Sequence, residues 1–272
     1  MPSPPNAPAL FLRDGDLFVP TVHTRGPWDP RAQHGGPPAA LLARCIDGVE
    51  APGAMRVVRV AVDILRPVPL TPLRVTTRVA RPGRRVDVVE AALAAGDTEV
   101  ARCSALRVRS AALDLDELAP DASAPAHTPD DGTVPHVRMT GGTTEGFPIT
   151  GSEMRFISGG LYLPGPSVVW IRLRVPVVEG ETPTPMTRAA AAADFGNGVS
   201  SILDWEQRLF INPDLGVWLS RDPVGEWICL EASTRIDATV GAGLAESALW
   251  DRHGRVGRSV QSLFVESSRP GI

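Results

Sequence analysis

The tetrapeptide Glu90-Ala91-Ala92-Leu93, followed by a glycine turn and then by Val100-Ala101-Arg102, has a counterpart late in the chain. There, Glu246-Ser247-Ala248-Leu249 precedes a second glycine-containing turn and Val256-Gly257-Arg258. Two β-favouring runs joined by a short turn with glycine are typical of a β-hairpin. The recurrence predicts that one structural pattern occurs twice in these 272 residues.

Around the first copy, the sequence predicts one helix and four long strands after a short strand at Leu17–Val19. The helix is predicted over Pro37–Ile46, because proline is favoured in a first turn, the apolar spacing is helical and Gly48 ends it. Its residues are mostly small and apolar, so we expect it to be buried. The strands, predicted to form an antiparallel meander, are Val57–Leu65, Leu73–Val79, Val86–Leu93 and Val100–Val108.

The second copy repeats this order with an interrupted helix. Strands at Met154–Ile157 and Val168–Val175 precede a short alanine-rich helix, Thr187–Ala193. A break at Asp194–Gly198 follows, and helical spacing resumes over Val199–Phe210. Four further strands are predicted at Gly216–Leu219, Trp227–Ile236, Leu244–Trp250 and Val256–Val265.

Composition divides the chain into two units. Residues 113–149 are rich in Asp, Pro, Ala, Thr and Gly, which bury little apolar surface, and this composition is typical of a linker on the surface. We therefore predict an α+β protein with an N-terminal unit at 1–112, a linker at 113–149 and a C-terminal unit at 150–272.

Charge and hydropathy argue against two broad classes of function. The net charge of −4 argues against a nucleic-acid partner, because such proteins usually carry a basic surplus. The sequence has neither an 18-residue apolar run nor a basic leader followed by an apolar stretch, so it predicts no membrane span and favours the cytoplasm. The chain has no lysine, so arginine, histidine or backbone N–H groups would have to hold any bound phosphate.

The residues that usually form metal or nucleophile sites are scattered. Cys45, Cys103 and Cys229 lie far apart, and the five histidines lack zinc-ligand spacing. There is no Gly-x-Ser-x-Gly motif and no cysteine with an evident histidine partner. We therefore expect no metal or other cofactor. For hydrolysis, direct attack by water with a carboxylate as general base fits the residues available.

A buried helix wrapped by a long antiparallel sheet is the hotdog pattern, and two such units in one chain resemble the type II acyl-CoA thioesterases. The resemblance covers most of the chain. It is carried by Gln33-His34-Gly35-Gly36, Ala193-Asp194-Phe195, Glu226-Trp227, Leu230-Glu231-Ala232-Ser233-Thr234 and Gly257-Arg258-Ser259-Val260-Gln261. It implies two fused hotdog units, an acyl-CoA substrate and catalytic roles for Asp194 and Gln261.

One departure from the family's pattern concerns a threonine that belongs to its water-holding set. The corresponding stretch here is Phe210–Asp214, in which Asn212 is the nearest polar candidate. An amide both donates and accepts hydrogen bonds, so Asn212 could still hold a water. Asp214 could instead add a second carboxylate, and the sequence leaves open which of the two faces the site.

These residues suggest a mechanism for thioester hydrolysis. Asp194 would take a proton from water, while Gln261 and Asn212 hold that water in line with the thioester. Partial burial is expected to raise the pKa of Asp194 and make it a stronger base. Substrate contacts and oxyanion donors are expected near a helix start, at His34, Gly35 and Gly36 or at Gly198.

Structural roles remain open for the same residues. Asp194 could be an N-cap for a helix beginning near Val199, Gln261 a solvated strand residue and His34 a hydrogen-bonded residue at a helix start. Arg102 and Arg258 could be surface ion-pair partners, or they could contact the phosphates of coenzyme A.

Two other functions fit the same scaffold. A hydratase or dehydratase acting on acyl thioesters needs a His/Asp pair, for which His34 with Asp29 is the candidate. A non-catalytic acyl-thioester or lipid binder is the other alternative, because the family threonine is missing. For the thioesterase we expect the second half to be the active copy and the first half mainly to support it, with possible further pairing into a dimer of double hotdogs.

Overall fold

Each half of the chain folds into an antiparallel sheet with a helix against one face. The structure, a computed structural model, describes residues 7–113, 125–205 and 207–266; the linker residues 114–124 lie outside the described part. The first half contains β1 (Phe11–Asp14), β2 (Leu17–Pro20), α1 (Gly36–Asp47), β3 (Met55–Ile64), β4 (Leu73–Arg81), β5 (Val86–Ala95) and β6 (Thr98–Arg109).

The second half repeats this order after the linker. It contains β7 (Ser152–Gly160), β8 (Leu163–Leu173), α2 (Pro185–Ala193), the one-turn helix α3 (Gly196–Val199), β9 (Leu209–Ile211), β10 (Asp214–Leu219), β11 (Ile228–Asp237), β12 (Ala242–Asp251) and β13 (Gly254–Glu266). The predicted α+β class with two fused hotdog units is confirmed.

All these strands join one sheet with a near two-fold internal symmetry. Its order is β1-β2-β4-β5-β6-β3 in the first half, continued by β10-β13-β12-β11-β8-β7 in the second, with β9 added beside β13. The order of paired strands in the second half is the mirror image of the order in the first half. The halves meet where β3 pairs with β10, with Val60 opposite Val217.

The predicted four-strand meander is wrong in one connection. β4, β5 and β6 form consecutive hairpins, but β3 pairs with β6 and β10 instead of β4. The segment between β3 and β4, residues 65–72, contains three prolines. Because proline lacks an N–H and restricts the backbone, this segment makes a long crossing and no tight turn. The crossing frees the edge of β3 for the second half.

The two central helices pack against each other and against the sheet, and small residues allow this. Every residue of α1 from Gly36 to Ala43 is buried, as are all the alanines of α2. The end of α1 is held by Arg107 of β6, which pairs with Asp87 at 2.7 Å and donates to the Val49 carbonyl at 2.6 Å. Since both charges are buried, removal of either would leave an uncompensated charge.

Two predictions for irregular segments are wrong. The helix expected over Val199–Phe210 is absent from the described residues of that range: the single turn α3 ends at Val199, and Phe210 pairs instead with β13. The linker was expected to lie on the surface, but Met139 and Phe147 within it are buried. Phe147 fills a gap beside α1, where it contacts the His34 ring at 5.1 Å.

No helix in the described ranges is long and apolar enough to cross a membrane.

Candidate active site

Asp194 is the first residue after α2, and its side chain is almost completely buried. It occupies the C-cap position of α2, with an ordinary φ of −68°. The N-cap role considered from sequence is therefore wrong. The carboxylate instead accepts hydrogen bonds from residues that come from distant parts of the chain.

His34 lies against Asp194, although it comes from the other half. Its Nδ1 is 2.8 Å from Asp194 Oδ2. A carboxylate can only accept, so the imidazole carries its proton on Nδ1. The Gly36 N–H, 3.1 Å from the same Nδ1, then has the carboxylate as its acceptor. In a neutral ring this leaves Nε2 as a proton acceptor.

Asn212 and Gln261 hold the second carboxylate oxygen. Asn212 Nδ2 donates to Asp194 Oδ1 at 2.9 Å, and Gln261 Nε2 donates to it at 3.2 Å. The Gln261 amide is oriented by the Asn197 N–H, which donates to its Oε1 at 2.8 Å. Gln261 is therefore a buried member of this cluster and not a solvated strand residue.

Asn212, and not Asp214, is the residue that faces the cluster. Its second Nδ2 hydrogen bond goes to the Asp214 carbonyl at 3.1 Å, so its Oδ1 is left as an acceptor. The Asp214 carboxylate points elsewhere and accepts from the N–H and hydroxyl of Ser262. The sequence left open whether Asn212 or Asp214 faces Asp194, and the hydrogen bonds identify Asn212.

The lack of a side chain at Gly35 leaves room for the Asp194 carboxylate. A Cβ on Gly35 would lie 2.7 and 2.8 Å from the two carboxylate oxygens of Asp194, closer than real Cβ contacts. The absence of a side chain at this position therefore allows the start of α1 to approach the end of α2. Gly36 is similarly confined, by the Ala191 carbonyl and the Phe147 ring.

The pKa of Asp194 is lowered, contrary to the sequence-based expectation. Burial by itself raises this pKa, but the charge of the His34 ring and the hydrogen bonds from His34, Asn212 and Gly36 outweigh burial. The carboxylate is therefore held in its ionised form. It is a weaker base than an isolated buried aspartate would be.

The cluster lies at the wall of a large apolar cavity of about 1100 Å³ that both halves line. Part of its wall is an aromatic cluster that the sequence analysis missed. Trp28 stacks on Trp205 with ring centroids 4.5 Å apart, and both contact Phe210 edge to face. The available signal was a large aromatic residue, Trp28, within a turn-rich loop, because such loops often carry binding residues.

Two other predicted groups, Asp29 and Gly198, are not among the hydrogen-bond partners found for the carboxylate. Asp29 pairs with the exposed Arg31 at 3.0 Å, so it does not form the pair with His34 that a hydratase was expected to use. Gly198 lines the cavity, where the Trp205 ring packs over it. Within the described ranges, no group of three His, Cys, Asp or Glu side chains is arranged to hold a metal ion.

Comparisons with known proteins match both halves. A family model described as the acyl-CoA thioesterase N-terminal domain matches residues 24–108, and one described as the C-terminal domain of the same enzymes matches residues 119–265. No curated protein matches the chain at a significant level.

Solved structures share the fold at low sequence identity. A hotdog-fold protein of unknown function from Alicyclobacillus acidocaldarius is 14% identical, with a TM-score of 0.71 over 94% of this chain and 96% of that one. An acyl-CoA thioesterase II from Mycobacterium marinum is 14% identical, with a TM-score of 0.64 over 97% of each chain. At such identities the likeness supports the shared fold alone.

Proposed function

Because the chain belongs to the acyl-CoA thioesterase family, we propose that it hydrolyses an acyl-CoA thioester in the cavity beside Asp194. The observation that carries this proposal is the ionised Asp194 carboxylate at the wall of an apolar cavity, held by side chains from both halves. An apolar cavity with a few convergent polar groups is the usual form of a small-molecule site. The acyl group would occupy the apolar part.

In the proposed reaction, water is the nucleophile. Its oxygen attacks the thioester carbonyl carbon while Asp194 takes one of its protons. The C–S bond then breaks, and the proton passes to the departing thiolate, which leaves a carboxylic acid and free coenzyme A. The Asn212 Oδ1 would accept the water's other hydrogen, and the Gly198 N–H, which lies in the first turn of α3, would stabilise the oxyanion.

Positioning compensates for the weak basicity of Asp194. An oriented water can contribute on the order of 7 kcal/mol or more to lowering the barrier. The Asp194 side chain is fixed by three side-chain donors, and Gln261 is itself fixed by the Asn197 N–H. We therefore assign Gln261 and Asn212 to holding the carboxylate and water in line.

A second candidate function is hydration of a 2-enoyl thioester. The contact of 2.8 Å between His34 Nδ1 and Asp194 favours it, because this chemistry uses a His/Asp pair. In that reaction the Nε2 of His34 would activate water toward the β-carbon. The C–S bond would stay intact.

A substrate panel separates the two candidates. Saturated and 2-enoyl CoA esters of several chain lengths are offered to the full chain, and thiol release and loss of enoyl absorbance are followed in parallel. We expect thiol release from saturated esters. Loss of enoyl absorbance without thiol release would favour the hydratase, and tight acyl-CoA binding without either signal would favour a non-catalytic binder.

The lowered pKa of Asp194 predicts the pH dependence of kcat/KM. The ionised form is the base, so activity should keep its plateau from neutral pH down to about pH 4, near the ordinary aspartate value of 3.8. The folded pKa lies below the unfolded one, so the stabilisation by this carboxylate is complete above 3.8 and is lost as pH falls through the folded pKa. Steady-state kinetics at each pH measures kcat/KM, and thermal unfolding at each pH measures the stability.

A different pH profile would contradict this assignment. An acid limb near neutrality, with the protein still folded, would show that Asp194 is not the base. The acyl chain length, a role in lipid metabolism, a cytoplasmic location and pairing into a dimer of double hotdogs stay predictions.

A further inference from the structure

A second cavity, of about 700 Å³, opens on the outer face of the sheet; we call it the outer groove. It is lined by Trp218 and Ser220 of the β10 end, by Arg221, and by His253, Arg255, Gly257 and Arg258 of the β12–β13 hairpin. Arg258 and Gln261 are three residues apart on β13, so their side chains point to opposite faces. Gln261 faces Asp194, and the outer groove is therefore separate from the cavity beside Asp194.

The internal repeat shows what is unusual at the outer groove. Glu90 pairs with Ser104, and Glu246 pairs with Val260, so the halves correspond with a shift of 156 residues. By this correspondence Arg258 matches Arg102. In the first half, Arg102 is opposite Asp63 and forms an ion pair with it at 3.0 Å.

The second half has lost the acidic residues at the corresponding positions. Trp218 is opposite Arg258, where the first half has Asp63 opposite Arg102. Arg255 occupies the position that corresponds to Glu99. A register shift in β13 between Gly257 and Arg255 places it on the same face as Arg258, although the two are three residues apart. Two acidic residues in one half thus become a tryptophan and an arginine in the other, which changes a balanced patch into a cationic one.

These cations have no carboxylate partner within the described ranges. Arg258 and Arg255 form no ion pair there, and neither does Arg59, which is opposite Trp218 on its other side. By contrast, Arg221 at the margin of the groove is neutralised by Asp251 at 2.6 Å. Neighbouring cations without counter-ions repel one another, so an anionic ligand would be stabilised among them.

Trp218 supplies a flat apolar surface between these arginines. Its six-membered ring lies over Gly216, where a Cβ would come within 2.5 Å of two ring carbons. The residue is nevertheless 42% exposed. One side of the indole is therefore supported by the backbone, while the rest is open to a ligand.

We propose that the outer groove binds a purine nucleotide, with its base stacked on Trp218 and its phosphates held by Arg255 and Arg258. Exposed aromatic faces stack bases of any sequence, and guanidinium groups bind phosphate oxygens through paired N–H donors. The volume fits a small molecule. This proposal is independent of the proposed thioesterase function, since the two sites lie on opposite faces of the sheet.

Calorimetric titration of the full chain with ADP tests the proposal. We expect saturable binding that is weakened about tenfold or more by either Arg258→Glu or Trp218→Leu. The matched control is Arg102→Glu, at the corresponding position of the first half, and it should leave ADP affinity unchanged. Inorganic phosphate should bind more weakly than ADP, and Asp194→Asn should bind ADP as the unaltered chain does.

Several outcomes would overturn the proposal. They are the absence of ADP binding at millimolar concentration, unchanged affinity in the two groove variants, and equal loss in the Arg102→Glu control. Tighter binding of a single-stranded oligoadenylate than of ADP would replace the nucleotide with nucleic acid. If Arg258→Glu does not fold, Arg258→Gln removes the charge with less perturbation and decides the same question.

Discussion

Replacing Asp194 by asparagine should lower kcat for thioester hydrolysis by about 10²- to 10⁴-fold, the usual contribution of a general base. Asparagine has nearly the same shape, but its amide cannot take a proton at neutral pH. Its NH₂ group would also face donors, because His34, Asn212 and Gln261 all donate to this carboxylate. Free thiol release from an acyl-CoA ester measures the loss.

The matched control is Asp214→Asn. This aspartate is two residues from Asn212, but its carboxylate accepts from Ser262 at the exposed side of the sheet. It should change kcat no more than about twofold, as expected for a surface substitution. If Asp194→Asn kept nearly full activity while folded, Asp194 could not be the base.

The sequence located most of the strands and the helices α1 and α2, because their patterning is local. Alternating apolar residues located β5, β6, β12 and β13 to within a few residues. The helical spacing after Val199 was misleading, because Phe210 forms strand contacts and Trp205 stacks on Trp28 in the wall of the cavity. Those partners come from remote segments, so no local pattern contains them.

The site was predicted only in part for the same reason. Asp194 and Gln261 were proposed from their resemblance to a family pattern and Asn212 as a substitute for the family's threonine, and the structure brings the three side chains together. The first half was expected to support the site through His34, Gly35 and Gly36, but the direct contact of His34 with Asp194 was not predicted. That contact depends on the packing of α1 against α2, which sequence spacing does not specify.

The repeat also shows that the described part of the first half has no counterpart of Gln261. By the shift of 156 residues, the position that corresponds to Gln261 is Ala105, a buried residue of β6. Alanine has no amide to hold a carboxylate. The first half therefore lacks one member of the cluster at its own symmetric position, and it contributes His34 and Gly35 to the candidate site of the second.

Replacing Gly35 by alanine should lower kcat/KM about 100-fold with little loss of folding. The added Cβ would lie 2.7 and 2.8 Å from the Asp194 carboxylate oxygens, so the carboxylate must move or α1 must shift. Gly35 has a φ of −66°, which alanine adopts without strain, so the effect is confined to this contact. A misplacement of about 1 Å can cost 100-fold in rate.

Gly48→Ala, at the other end of the same helix, is the matched control. Its φ is −78°, and its nearest Cβ contact would be an ordinary 3.5 Å to the Cys45 carbonyl. Equal unfolding temperatures with loss of activity only in Gly35→Ala would show that the rate depends on where the carboxylate lies. Full activity of Gly35→Ala beside an inactive Asp194→Asn would mean that the carboxylate acts from a displaced position, and that its contact with His34 is dispensable.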